Sequence, residues 1–337
     1  MVATVWGQHK DTGGPADKKG MGKRLTLCAW VLPLSAASFV AGLGTHDPAD
    51  LPFFVDAART LFSAGWANTY FDPVLQAGPI FLALVGVADR LGGDGLLAYA
   101  IQVGVTALLV FTVGRLLEGR PYRAVAQGIA GLAAVVLGVS LDAYSYGHPA
   151  QVVVPLLWML AGLDAREGRS VRAGALVGLS AGFETWGVLG APLLLLAPRT
   201  RGALRGLAVQ ALVAIGLYLP FVLAGDFRMF ELRWKVEGWT LIRFLIPEGS
   251  DFPWTLRLVQ GAAALAIGAT LALALRRSPR ALWVVPLGIV AVRVLLDPAL
   301  YSWYWVGLET VALVAAAELA TSVGLRVAPA QAAAPSK

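Results

Sequence analysis

Two carboxylates, Asp47 and Asp50, stand three residues apart in Thr45-His46-Asp47-Pro48-Ala49-Asp50, directly after a long apolar run. A carboxylate so placed can take a proton from a hydroxyl as a general base. Asp50 and Asp47 are therefore the catalytic candidates, in that order; either could instead cap the helix that follows. Asp142-Ala143-Tyr144-Ser145-Tyr146-Gly147-His148 supplies Tyr146 and His148 as candidate substrate contacts. Tyr and His at a membrane interface also serve simply as an aromatic belt. Glu184 lies in Gly182-Phe183-Glu184-Thr185-Trp186, inside an otherwise apolar run. An ionisable group at membrane depth is costly and marks a functional site unless it only pairs with a buried Arg. Arg233 and Lys235 flank Trp234 in a stretch that also holds Arg228, Trp239 and Arg243. That pattern suits anionic headgroups or a clamp on a phosphate. Arg293 sits in an apolar run four residues before Asp297, a spacing at which two charges can pair on a helix. Tyr301 and Tyr304 follow in the densest aromatic cluster of the chain.

The elements that must position these groups are membrane helices. The chain has 337 residues, 57% hydrophobic and 14% charged, where a soluble domain carries about 25% charged. Stretches 25–44, 96–114, 124–141, 206–225 and 258–275 carry no charge, and about 20 apolar residues cross a bilayer as a helix. The strict alternation of a β-barrel is absent. The expected fold is an all-α polytopic transmembrane bundle of about nine to eleven hydrophobic segments, with re-entrant half-helices. The net charge of +6 comes from short Arg clusters between apolar runs, the pattern of cytoplasmic loops and not of a nucleic-acid binder. The single cysteine, Cys28, falls in the first run and reads as core packing.

Placing every basic cluster in the cytoplasm puts the polar loops 45–73, 142–151, 226–253 and 297–304 together on the outer side. Two stretches strain that count. Residues 172–199 have room for one span between two basic flanks, so two half-helices meeting at Glu184 are expected, tolerated only where they are packed in protein. Residues 74–91, interrupted by Pro79 and Asp89, read as a partial or broken span. Residues 51–63 form an amphipathic helix, with Phe54, Ala58, Leu61 and Phe62 on one face, lying in the interface plane. The glycines Gly174, Gly178 and Gly182 recur every four residues, a helix-packing pattern. The domain reading is a disordered cytoplasmic N-terminus 1–24, one transmembrane catalytic domain 25–325, and a disordered tail 326–337. The protein is expected in a bacterial-type plasma membrane with its N-terminus cytoplasmic.

In these motifs the chain resembles the GT-C-fold, polyprenyl-phosphate-sugar-dependent membrane glycosyltransferases, closest to the mannosyl- and arabinofuranosyltransferase branch. The resemblance rests on Asp50 followed by Phe54, Ala57-Ala58, Gly65 and Tyr70. It continues in Gly78-Pro79, in Ala173-Gly174 and Gly178-Leu179 leading to Glu184, and in Asp297-Pro298 with Tyr301 and Tyr304. The family often has Lys where this chain has Glu184, and a Tyr-Pro-Pro run near Gly78-Pro79. The resemblance implies an outward-facing site, a lipid-linked sugar donor and a lipid or glycan acceptor. It also implies inverting attack with Asp50 as the base and polyprenyl phosphate as the leaving group. Arg233, Lys235 and Arg293 are the phosphate candidates by charge. No cofactor is expected; a divalent metal would find only Asp47 and Asp50. The competing reading is a transporter or flippase for a lipid-linked or small polar solute, which would need polar groups distributed through the spans.

Overall fold

The computed structural model describes residues 33, 34, 36, 40, 49–238 and 240–332. The expected N-terminal tail, Cys28, Asp47 and Trp239 lie outside the described residues. The elements are α1 (Leu51–Leu61), α2 (Pro79–Leu116), α3 (Arg123–Val136), α4 (Val139–Ser145), α5 (Ala150–Arg166) and α6 (Ser170–Ala181). A 3₁₀ helix (Thr185–Leu196) follows, then α7 (Thr200–Ala224), α8 (Trp254–Ala274), α9 (Ala281–Leu295) and α10 (Tyr304–Ala332). One two-residue antiparallel pair, Trp234–Lys235 with Asp251–Phe252, joins the ends of the 226–253 loop.

This is the all-α polytopic membrane bundle that the composition demands. Gly95–Leu116, Thr200–Ala224, Trp254–Ala274 and Tyr304–Ser322 are long and apolar enough to cross a membrane. The pair α3 and α4, bent by 45°, counts as a fifth if it crosses as one span. Other apolar helices are shorter, 12 residues in α6 and the 3₁₀ helix and 15 in α9.

Two ends of the bundle differ in chemistry. At one end the polar loops are stitched together by backbone. The Ala49 N–H donates to Ser145 O at 2.9 Å, Arg228 N–H to Tyr70 O at 2.9 Å and Glu237 N–H to Pro298 O at 2.8 Å. At the other end Arg166 Nη2 donates to Arg276 O at 2.8 Å, and Asp164 holds Arg172 at 2.8 Å. Arg120 meets Glu318 at 2.8 Å. Basic turns thus contact one another, as do the polar loops.

α6 and the 3₁₀ helix form the hairpin expected around Glu184. At about 1.5 Å per residue, the 12 residues of α6 fall short of a bilayer. The hairpin tip docks on the start of α2. Gly182 O accepts from Ile80 N–H at 2.8 Å and from Phe81 N–H at 3.0 Å, and Phe183 O accepts from Gly78 N–H at 2.9 Å. These are N–H groups that a helix leaves unsatisfied at its first turn. The tip thus replaces a cap and fixes Glu184 against Ala77.

The segment 74–91 is broken from the span that follows it. It forms the first arm of α2, which ends where Gly93 adopts φ 62°. That arm runs parallel to α1: Phe54 meets Phe81 at 5.4 Å, and Arg59 pairs with Asp89 at 3.1 Å. Both ends of α1 touch the polar end, Asp50 at the 142–151 loop and the following turn at Asp226 through Asn68. α1 and the turn after it therefore run from the 142–151 loop to Asp226. The amphipathic reading of α1 holds, with Leu51, Phe54, Val55 and Ala58 buried. α10 continues to Ala332, past the boundary set at 326 for a disordered tail.

The glycine stripe on α6 is packing. A Cβ on Gly174 would lie 2.2 Å from Gly206 O of α7, and one on Gly178 would lie 2.6 Å from Val213 Cβ. Gly174→Ala should therefore force the two helices apart and cost about 1–3 kcal/mol. Gly104→Ala, with nothing within 4 Å, should gain roughly 0.5–1 kcal/mol. Thermal unfolding of the two variants in detergent checks the contrast.

Candidate functional site

Asp50 occupies the N-cap position of α1, yet its side chain makes no capping bond. It turns instead to His148, with Oδ2 2.9 Å from Nε2. The carboxylate is 43% exposed and the imidazole 16%, so the histidine fixes an otherwise accessible acid. His148 is itself immobilised. Its ring lies on Trp303 at 4.7 Å and 8°, and its edge meets Phe54 at 5.5 Å. Tyr301 also stacks on Trp303, at 4.4 Å and 4°. With two rings stacked on it, this indole serves as a wedge for His148. Tyr146 rests against the same indole at 6.0 Å. Burial, then the nearby Glu237 and Asp297, raise the Tyr301 hydroxyl above its ordinary value, keeping it a neutral hydrogen-bond donor.

A second group lies deeper. Arg293, on α9, donates to Gln151 Oε1 at 3.3 Å and faces Glu184 Oε1 at 3.9 Å. Gln151 Nε2 donates to Glu184 Oε2 at 3.1 Å. The Arg293 guanidinium is held between the rings of Trp186 at 4.4 Å and Tyr304 at 4.7 Å. Such a guanidinium is oriented by its rings, while its hydrogen bonds are long. It can tighten onto an incoming anion.

The expected Arg293–Asp297 pair does not form. α9 ends at Leu295, so Asp297 has left the helix and the four-residue spacing no longer brings the two together. Asp297, fully buried, takes Arg257 of α8 at 2.7 and 3.2 Å. Arg257 also donates to Gln260 at 2.8 Å and lies over Trp234 at 4.1 Å. Gln260 Nε2 donates to Arg293 O at 2.7 Å. The phosphate candidates Arg233 and Lys235 are already matched. Across the short strand pair, Lys235 sits 2.5 Å and Arg233 3.7 Å from Asp251. The Lys235 hydrogen bond holds the Asp251 carboxyl below its usual range.

These groups border one cavity of about 1090 Å³. Asp50, His148, Glu184, Arg233, Lys235, Arg293, Tyr301 and Tyr304 all line it; Asp297 and Tyr146 stand behind the lining. From its charged part the cavity continues as an apolar groove. Ile215, Tyr218 and Val222 of α7 form one wall, Leu258 and Leu265 of α8 the other, and Val188 and Leu189 the floor. Sequence reasoning passed over Arg257, Gln260, Gln151, Trp186 and the wedge role of Trp303. Arg257 and Gln260 had a signal: two polar residues at helical spacing on the rim of an apolar run. Gln151 and Trp186 had none.

Among the described residues no group of three or more His, Cys, Asp or Glu comes together. Comparison with protein-family models, curated proteins and solved structures finds no match. The fold and cavity define the class: an integral membrane protein with a carboxylate–imidazole pair and a buried arginine in one groove-fed pocket.

Because Asp297 is buried with Arg257 as its ion-pair partner, Asp297→Asn should strand that charge and cost about 3–5 kcal/mol. Arg257→Met combined with Asp297→Leu should recover most of the loss. A double-mutant cycle on thermal unfolding measures the coupling.

Proposed function

We propose that the protein is a membrane glycosyltransferase. It moves a mannose- or arabinofuranose-like sugar from a polyprenyl-phosphate donor to a lipid or glycan acceptor at the outer membrane face. The observation that carries this reading is the order of groups along one cavity. An accessible carboxylate held by an imidazole comes first, a ring-clamped arginine lies beyond it, and an apolar groove leads away between two helices exposed to lipid.

The groove suits a polyprenyl chain, which gains roughly 25 cal/mol for each Å² of apolar surface it buries. Arg293 would meet the donor phosphate. Bound there, it stabilises the charge that grows on the leaving oxygen as the C1–O bond breaks. Asp50 takes the acceptor proton while the acceptor oxygen attacks C1 from the opposite side, with inversion. His148 keeps the carboxylate in position through Oδ2 and leaves Oδ1 for the acceptor hydroxyl. Attack and departure on opposite faces need no covalent enzyme intermediate. Arg233 and Lys235, matched by Asp251, serve the rim of the cavity and not the phosphate.

The groove by itself would also suit a lipid flippase, and activity separates the two readings. Purified protein given polyprenyl-phosphate sugars should release polyprenyl phosphate and form a product of inverted anomeric configuration. Asp50→Asn should lower kcat about 10²–10⁴-fold with little change in donor affinity. Arg293→Gln should weaken donor binding. Sugar transfer by Asp50→Asn at the original rate would overturn the assignment, and lipid translocation without transfer would favour the flippase.

A further inference from the structure

The loop between α7 and α8 carries a short 3₁₀ turn, Leu241–Phe244. Phe244 and Leu245 at its tip are each 80% exposed. No other described large hydrophobic residue is as exposed, including those on the helices that face lipid. Phe230 and Leu241 in the same loop are exposed as well. In water such a tip has no compensating contact, so the question is what covers it.

The base of the tip gives the answer. Ile242 is buried with Val236 and Phe252, and Ile246, Leu256 and Leu296 pack on that cluster. Leu256 lies in the first turn of α8, and Leu296 is the C-cap of α9. The tip thus rests on the ends of two apolar helices. Leu258 and Val259 of α8, and Leu295 of α9, are the first exposed large apolar side chains at these ends of those helices. They stand within a few residues of Leu256 and Leu296, and α8 rises only about 1.5 Å per residue. The apolar band of the bundle therefore continues past the helix ends onto the tip. The one charge on the tip is already neutralised, since Arg243 is 2.6 Å from Glu248. That lowers the cost of leaving bulk water.

We propose that residues 241–246 are a membrane-docking finger, with Phe244 and Leu245 inserted among the lipids of the leaflet at the polar end. The occupant is the bilayer itself. Inserted aromatic and leucine side chains at headgroup depth are a common mode of interfacial anchoring. The finger fixes the 226–253 loop, which carries the cavity residues Arg233, Trp234 and Lys235, at a set depth beside the mouth of the groove. This inference does not rest on the glycosyl-transfer reading.

The test uses the full chain in lipid nanodiscs. Cys28, the single cysteine, is replaced in Cys28→Ser. A polarity-sensitive NBD label is then placed through Phe244→Cys, through Leu245→Cys as a second reporter, and through Leu212→Cys on α7 as a lipid-facing reference. The finger labels should emit blue-shifted light like the reference. Nitroxide-bearing lipids should quench them, and aqueous iodide should not. Red-shifted emission quenched by iodide would overturn the proposal. Protection from both quenchers would overturn it too, since it would mean that protein covers the tip. A label at Leu241→Cys should lose its nitroxide quenching when Phe244→Ser and Leu245→Ser are combined, with unfolding unchanged. Retained quenching would also count against the finger.

Discussion

A guanidinium inside an apolar bundle has to be satisfied from several directions at once, and Arg293 draws on most of the bundle to achieve it. Its side chain takes Gln151 from α5, Glu184 from the hairpin tip, Trp186 from the 3₁₀ helix and Tyr304 from α10. Its own carbonyl is claimed by Gln260 of α8. Four elements, α5, the hairpin, α8 and α10, converge on one residue of a fifth. Leaving that charge unpaired would cost several kcal/mol, so the relative placement of these helices is tightly constrained. Glu184 needs the hairpin to reach this depth. The hairpin needs the glycine contacts with α7 and the docking of its tip on α2.

The same arrangement explains why the cavity has two characters. Around Arg293 the Gln151 amide and the Glu184 carboxylate supply polar partners, and the rings of Trp186 and Tyr304 hold the charge flat. Towards α7 and α8 no charge remains to be matched, and aliphatic side chains take over. A ligand with one anionic head and a long apolar chain fits that division. Asp50 stands at the rim of the charged part, held from the side by an imidazole that is stacked and cannot swing. Such support of a reacting group by fixed neighbours is what catalytic geometry requires.

Much of the fold was legible in the sequence. The uncharged runs announced membrane helices. The paired basic flanks of a stretch too short for two spans announced the hairpin at Glu184. The Gly174–Gly178 spacing announced its packing against a neighbour. Less legible were the elements whose placement depends on partners distant in sequence. Residues 74–91 read as a partial or broken span because Pro79 and Asp89 interrupt an apolar run, but the break itself falls at Gly93. Asp89 is there to hold Arg59, thirty positions earlier, while the arm lies beside α1. The Arg293–Asp297 pair failed for a local reason that spacing alone conceals: the helix stops between them.

The sequence by itself determined the material of this protein and its sorting. Hydrophobic length and charge placement depend only on which residues are adjacent, so the helices, their segregated ends and the candidacy of Asp50, His148 and Glu184 could be read directly. The tertiary structure alone decided the pairings. Asp50 with His148, Asp297 with Arg257, Arg293 with Glu184, and Asp251 with Lys235 are contacts across 98, 40, 109 and 16 positions of chain. A carboxylate's partner is set by which guanidinium or imidazole the packing of helices brings within about 3–4 Å. Local spacing carries no record of that packing.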